Sequence, residues 1–438
     1  MDRTKRRTGG LLGTCLACST PMPLRLSEVG EASREWACAG CGATYQAVLL
    51  EDWPAEFLAN VRPVSSPSQQ TTPAELGAWC EGDKRDPISI ALPGRSAIRC
   101  ELETALSREF DAEIKRGANL QLPPQGEPFA EKIRDHGDRL YDKDVMNRLA
   151  QLLHRSSGQL GEVFASLKAG GSVGLHVVES ISRDGLFRVA EDMDLFVYLG
   201  ITPSSGGYPS RHSMRVAMLA MSMGVSLGWD ERTLLDLGIG CLLHDVGMLG
   251  IDPEAYQRKR ILSSNDFGEI AKHPVLAIES LKQHADRLPM AARMIAYQIH
   301  ERCNGSGYPR GYQAHQIHEL ARVGAVADVY VALVSPRPHR PGVVPYHALK
   351  KILQDTKAGV YDPDAVRALL KTVSLFPIGS YVALSDGRVG KVIRSKGADY
   401  DRPIIEAWTR SDPLASRTVV DLSGQEDLRI TSTLDRPS

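Results

Sequence analysis

The stretch "ERTLLDLGIGCLLHDVG", Glu231–Gly247, decides how this chain is read. Its second half is apolar on nearly every side. A helix of that kind is buried in the middle of a helical fold. Yet it ends on adjacent His244 and Asp245. A buried carboxylate is costly unless it is paired or coordinates a metal ion.

The same difficulty recurs elsewhere in the chain. Asp328 lies in "VGAVADVYVAL", another almost wholly apolar helical run. Val216, Ala220, Met223 and Leu227 mark the apolar stripe of a third helix, and His212, four residues before Val216, shares that stripe. Buried aspartates and inward histidines relieve each other's cost above all around divalent cations. Imidazole with carboxylate suits Zn, Mn, Fe, Co or Ni. For His244 and Asp245 alone, a hydrogen-bonded core pair without metal is an equal alternative.

The stretch "AYQIHERCNGSGYPRG", Ala296–Gly311, supplies a further histidine. His300 runs into Gly305-Ser306-Gly307-Tyr308-Pro309. Glycine tolerates positive φ, so backbone in such a loop can approach a ligand closely. Tyr308 offers a ring for a base and a hydroxyl for a phosphate or carbonyl. Taken alone, Asn304-Gly305 is equally an ordinary helix-ending turn. Among the 12 histidines, His136, His154 and His176 read as groups without partners. His284, His315 and His347 read as exposed, and His318 and His339 are left unassigned.

The rest of the chain frames this core. Its 438 residues suffice for several domains. A formal net charge of −1 favours no polyanion, and the basic start "DRTKRR" reads as a solvated tail, so no nucleic acid is expected. No run approaches the roughly 20 apolar residues of a membrane span, and the N-terminus lacks a signal peptide's apolar region. A cytoplasmic protein with no membrane partner is expected. Cys15-x-x-Cys18 and Cys38-x-x-Cys41 suit one structural zinc in a small ribbon over residues 1–60, with Trp36 and Tyr45 on strands beside it. Residues 61–142 begin as a Pro/Ser/Thr-rich linker and continue as a variable region, with a candidate strand "ISIAL" and a candidate helix "CELETALSREFDAEIKRG". Residues 143–373 read as an all-α bundle. Residues 374–438 read as short strands of a small β-barrel or sandwich, turning at Asp386-Gly387.

From Tyr208 to Leu353 the chain resembles the HD-GYP family, a branch of the HD metal-dependent phosphohydrolases. The resemblance rests on "RHSMRVAMLA", "CLLHDVG", "AKHPVLAIESL", "HERCNGSGYPRG" and "LARVGAVADVYVAL", in that order, followed by "SPRPHR". It implies a helical HD fold and hydrolysis of cyclic di-GMP by a cluster of metal ions. It also implies that His212, His244, Asp245 and Asp328 hold one ion. Asp245 would bridge to a second ion, which His273 and His300 help hold. Asp245, His300 and Tyr308 would be catalytic, and Gly305, Gly307, Tyr308 and Pro309 would line the substrate.

The sequence departs from the family at four positions. Ile299 stands where a first histidine precedes the second. Met248 stands where the family has lysine, and Asn304 where it has aspartate. Tyr208 occupies the place of a glutamate found in members with a third metal. The expectation is a two-metal phosphodiesterase that is slow, or a degenerate module that senses a cyclic dinucleotide or docks a protein partner through the Gly-Tyr-Pro loop or the zinc ribbon. A hydrolase of another phosphoester is a third reading.

Overall fold

The computed structural model describes residues 100–434, apart from 118–119, 172–173, 203–206, 258–261, 338–339 and 410–416, together with the backbone of short strands between residues 10 and 63. Contacts divide the chain into two units, Met1–Lys84 and Arg85–Ser438. In the first, β1 (Gly10–Thr14) pairs antiparallel with β2 (Pro21–Arg25). A second sheet joins β3 (Arg34–Ala37), β4 (Thr44–Ala47) and β5 (Arg62–Pro63), with Trp36 and Tyr45 as register partners. The proposed zinc cysteines Cys15, Cys18, Cys38 and Cys41 lie outside the described residues, as do "ISIAL" and His339.

The second unit is mainly helical. The variable region yields α1 (Ala105–Lys115), started by a capping box between Thr104 and Ser107. Then come α2 (Lys143–Lys168), α3 (Leu175–Glu191), α4 (Met193–Ile201), α5 (Ser210–Ser226) and α6 (Glu231–Leu243). These are followed by α7 (Pro253–Gln257), α8 (Ser264–Ile270), α9 (His273–Ser280) and α10 (Met290–Gln298). Last are α11 (Glu319–Val334), α12 (Pro345–Lys357) and α13 (Pro363–Val373).

The centre is α5, buried from His212 to Val225. It packs on α6, α11, α4, α2 and α13. Its Arg215 is buried too, because it caps the neighbouring helix. Nε and Nη2 donate to the carbonyls of Gly200 (2.6 Å) and Ile201 (2.9 Å) at the end of α4, and Nη1 donates to Ser335. Those carbonyls have no partner within their own helix. The stretch Glu231–Gly250 is apolar and long enough to cross a membrane by composition, and most of it is buried inside the bundle.

The C-terminal strands β6 (Tyr381–Leu384), β7 (Val389–Arg394), β8 (Ile404–Trp408), β9 (Thr418–Asp421) and β10 (Ile430–Leu434) form one antiparallel sheet. Their order is β10-β6-β7-β8-β9. Among the described residues β9 and β10 are edges, so the sheet is open rather than closed into the expected barrel. One face carries its own core of Val382, Leu384, Val392, Ile405 and Ala407, against which Tyr141 and Tyr198 of the helical part pack. Burial of one face is enough to hold so short a sheet.

Two histidine readings need correction. His284 is buried, at 7% exposure, rather than exposed. His136 has a partner, since its Nε2 lies 2.7 Å from the Glu191 carbonyl. Local periodicity reports neither the burial of His284 nor the partner of His136, which lies 55 residues away.

Candidate metal centre

Six side chains from five places in the chain meet in the bundle. His212 comes from α5. His244 and Asp245 follow α6. His273 opens α9, His300 follows α10, and Asp328 lies on α11. All six are buried, at 0% to 8% exposure. Adjacent His244 and Asp245 can both point inward because α6 stops at Leu243 and the chain tightens into a 3-10 turn, Val246–Gly250. That turn lies directly on the start of α9. A Cβ at Gly247 would collide with the His273 carbonyl and with the Ala277 nitrogen. Glycine there lets His273 approach Asp245.

The hydrogen bonds fix which nitrogens are free. His244 Nδ1 lies 2.7 Å from the Cys241 carbonyl, and His273 Nδ1 2.8 Å from the Ile270 carbonyl. A carbonyl only accepts, so each Nδ1 carries the proton and each Nε2 presents a lone pair. Both Nε2 atoms face Asp245 Oδ1, at 3.4 Å and 3.5 Å. Asp328 spans the other two rings. Its Oδ1 is 2.9 Å from His212 Nε2 and its Oδ2 is 3.3 Å from His300 Nδ1. His244 Nε2, His273 Nε2, His300 Nε2 and Asp245 Oδ2 are buried without a hydrogen-bond partner.

Buried polar groups are paired almost without exception, so four orphans in one cluster call for a ligand. His212, His244 and Asp328 each offer a ligand atom within 4.8 Å of the others, and so do His244, Asp245 and His300. Charge agrees with geometry. Burial would raise Asp245, but His244, His273, His212 and His300 outweigh it and hold it at about 2. Asp328 is likewise held well below the usual range, against its own burial, chiefly by His300 and His212. Burial, with His300 beside it, lowers His273 to about 3. Ionised Asp245 and Asp328 beside a neutral His273 are in the protonation state that binds a metal.

Aromatic rings flank the cluster. Tyr308 stacks on His300 at 4.9 Å and 13°, and Phe267 meets Tyr308 edge-on at 6.2 Å. On another side Tyr208 lies 5.8 Å from His212 and 5.4 Å from Tyr256, with the Arg337 guanidinium over its ring at 4.9 Å. Burial pushes the Tyr308 phenol far up, so it stays protonated and can donate.

The remaining loop residues fall into place around Tyr308. Gly305 has φ +77°, and Asn304 Oδ1 accepts from Ser306 N and Oγ, a local turn. Gly307 has no room for a Cβ, because the backbone of His300, Glu301 and Arg302 lies against it. Pro309 is buried, with its carbonyl accepting from Cys100 N. The departures are also placed. Ile299 is wholly buried, its Cδ1 beside Gly324 of α11, which the Cys241 thiol of α6 also flanks. Gly324 and Cys241 are each about one turn from a member of the cluster, Gly324 from Asp328 and Cys241 from His244. Met248 is buried in the 3-10 turn at 1% exposure.

Sequence reasoning missed Glu301, Asp111 and Arg310. Glu301 braces the loop from inside. Its Oε1 accepts from the backbone of Arg310 (2.8 Å) and Gly311 (3.1 Å), and its Oε2 from Tyr312 (2.9 Å). A carboxylate next to the candidate ligand His300 was visible in the sequence. Asp111 left no signal there, because its partners are about two hundred residues away.

Part of the helical unit matches a known family. The family described as HD domain matches residues 204–365. The chain is 27% identical over 296 residues to a cyclic di-GMP phosphodiesterase of Pseudomonas aeruginosa, covering 65% of this chain and 69% of that protein. It is 28% identical over 316 residues to the cyclic di-GMP phosphodiesterase response regulator RpfG of Xanthomonas campestris, covering 68% and 78%. It is 28% identical over 177 residues to a 3'3'-cGAMP-specific phosphodiesterase of Vibrio cholerae, covering 40% and 38%. With its ordered motifs gathered into one buried His/Asp cluster beside a Gly-Tyr-Pro loop, residues 204–365 of this chain form an HD domain, similar to those of the cyclic dinucleotide phosphodiesterases of the HD-GYP type.

Proposed function

We propose that this chain is a metal-dependent phosphodiesterase that opens a cyclic dinucleotide, with cyclic di-GMP as its first substrate. The observation that carries this is the set of four partnerless buried atoms, His244 Nε2, His273 Nε2, His300 Nε2 and Asp245 Oδ2. Names borne by relatives support the substrate class. His212, His244, Asp245 and Asp328 would hold one divalent ion, with Asp245 shared by a second that His273 and His300 complete. The chemistry such ions supply when bound is activation of water and neutralisation of phosphoryl charge.

The chain's own residues do the rest. Cys241 O and Ile270 O hold the His244 and His273 rings in the tautomer that presents Nε2. Asp245 and Asp328 stay ionised, and their fixed charge keeps the centre ready without reorganisation. Tyr308 donates its hydroxyl towards the phosphate, and its ring, with Phe267, gives a base an apolar face. Gly305 and Gly307 keep the loop backbone narrow enough for close approach. Arg337 over Tyr208 places a guanidinium at the rim, where phosphate charge would lie.

The test is turnover of cyclic di-GMP by the full chain loaded with Mn(II) or Fe(II), beside metal analysis. Linear product with two ions per chain, both lost in His300→Ala, is the expected result. One observation favours a second reading, a sensor that binds without turnover. Ile299 and Met248, which replace a ligand and a cation, are both integrated into the core. Tight binding without product, unchanged by His300→Ala, would establish it and sink the enzyme.

A further inference from the structure

The loop that carries Tyr308 is gripped from outside the residues that make the centre. Asp111, on α1, lies well ahead of the 204–365 match and is buried, at 9% exposure. Its Oδ1 accepts from Tyr297 OH on α10 (2.8 Å) and from Tyr312 OH (2.6 Å), and its Oδ2 accepts from Arg310 Nε (2.9 Å). Arg310 spends its other donors on the same segment. They reach the carbonyls of Cys100 (2.9 Å) and Leu102 (3.1 Å) and Ser107 Oγ (3.2 Å). Cys100 N closes the grip by donating to the Pro309 carbonyl at 2.9 Å. Phe110 packs edge-on against Tyr297 at 5.7 Å.

We infer that Asp111 is a positioning residue for the reaction, and that Cys100–Asp111 is a strap holding the Gly-Tyr-Pro loop against the metal centre. The inference rests on the proposed function above. The strap seizes Pro309 and Arg310, immediately after Tyr308, whose ring lies on His300. Glu301 fixes Arg310, Gly311 and Tyr312 from inside the loop through their backbone N–H groups. Releasing the outer grip frees Tyr308 and then His300, while α5 and α6 keep their own packing. A misplacement of about 1 Å at such a site costs up to roughly 100-fold in rate.

The test compares full-length wild type with Asp111→Ala, Asp111→Glu and Arg310→Lys. The readouts are hydrogen exchange of peptides within 301–312 and within 213–225, Mn(II) titration, and kcat separately from KM. In Asp111→Ala, exchange in 301–312 rises by at least about tenfold while 213–225 keeps its protection. Mn(II) binds more weakly, and kcat falls by about 10- to 100-fold with a smaller change in KM. Asp111→Glu recovers part of each. Unchanged loop exchange in Asp111→Ala overturns the inference. So does an equal rise in 213–225, which would mean general loss of stability. Should Asp111→Ala fail to fold, Arg310→Lys decides on the same readouts, since it keeps the charge and loses the fork. Absence of cyclic di-GMP turnover in wild type would strike the proposed function alone, because exchange and Mn(II) binding do not depend on that substrate.

Discussion

Two clusters of buried charge stand in the same unit and differ in one respect. At the junction with the C-terminal sheet, Arg394 is 3% exposed and paired. Its Nη1 donates to Asp192 Oδ1 at 2.7 Å, its Nε to the Arg139 carbonyl at 3.0 Å, and its guanidinium covers the Tyr141 ring at 4.4 Å. Asp192 also caps α4 by accepting from Leu195 N, and Ser395 donates to Asp194. The centre around Asp245 is as deeply buried, yet four of its polar atoms have no partner. The first cluster is a joint, in which only the Tyr141 hydroxyl lacks a partner. The second gathers four partnerless atoms around one point, which is what marks it as a candidate ligand site.

The predictions try to break that contrast, the largest first. Arg394→Ala leaves Asp192 buried and unpaired, and should cost about 3–5 kcal/mol in urea unfolding with kcat of the folded fraction unchanged. A fall in kcat would mean the joint is part of the site. Asp245→Asn should do the opposite. It lowers turnover by at least about 100-fold and changes metal-free stability little. It also removes the rise in stability that Mn(II) gives wild type, about 2.7 kcal/mol at a hundred times Kd. If Mn(II) does not raise the melting temperature of wild type, the orphaned atoms are not a metal site.

A third, smaller effect belongs to the joint. Burial, against the Ser395 hydrogen bond and Arg394, raises Asp194 to about 6. A carboxyl raised in the folded state contributes stability below its unfolded value, near 4, and loses that contribution as pH rises through 6. Stability should therefore fall by about 2 kcal/mol between pH 4 and pH 7 through this group, a step that Asp194→Asn removes. The smallest effect concerns the site's departures. Ile299→His with Met248→Lys should raise turnover by about tenfold, read as kcat with cyclic di-GMP. No gain would show that both residues serve packing alone.

Much of the centre was legible in advance because each of its residues broke a local rule. His244, Asp245 and Asp328 are polar groups at the buried positions of apolar helices, and His212 sits on an apolar stripe. The consequence of Ile299 was not legible. Its contact with Gly324, about one turn before Asp328, places it in the apolar layer beside the centre. The strap was also invisible. Asp111 lies on a helix whose pattern says only that one face is buried. The expected barrel became an open sheet because alternation marks a buried face and is silent on whether the edges meet.

By itself the sequence determined the helical bundle, the candidate ligand types, their order along the chain and the loop that borders them. These follow from periodicity and from the cost of burying charge, both read within a few turns. Only the tertiary structure decided that Nε2 of His244 and His273 are the free atoms, that Glu301 and Asp111 grip one loop from opposite sides, and that Arg394 is a joint. Those outcomes depend on which distant elements pack together. A side chain's partner across two hundred residues is chosen by that packing, and no local pattern records it.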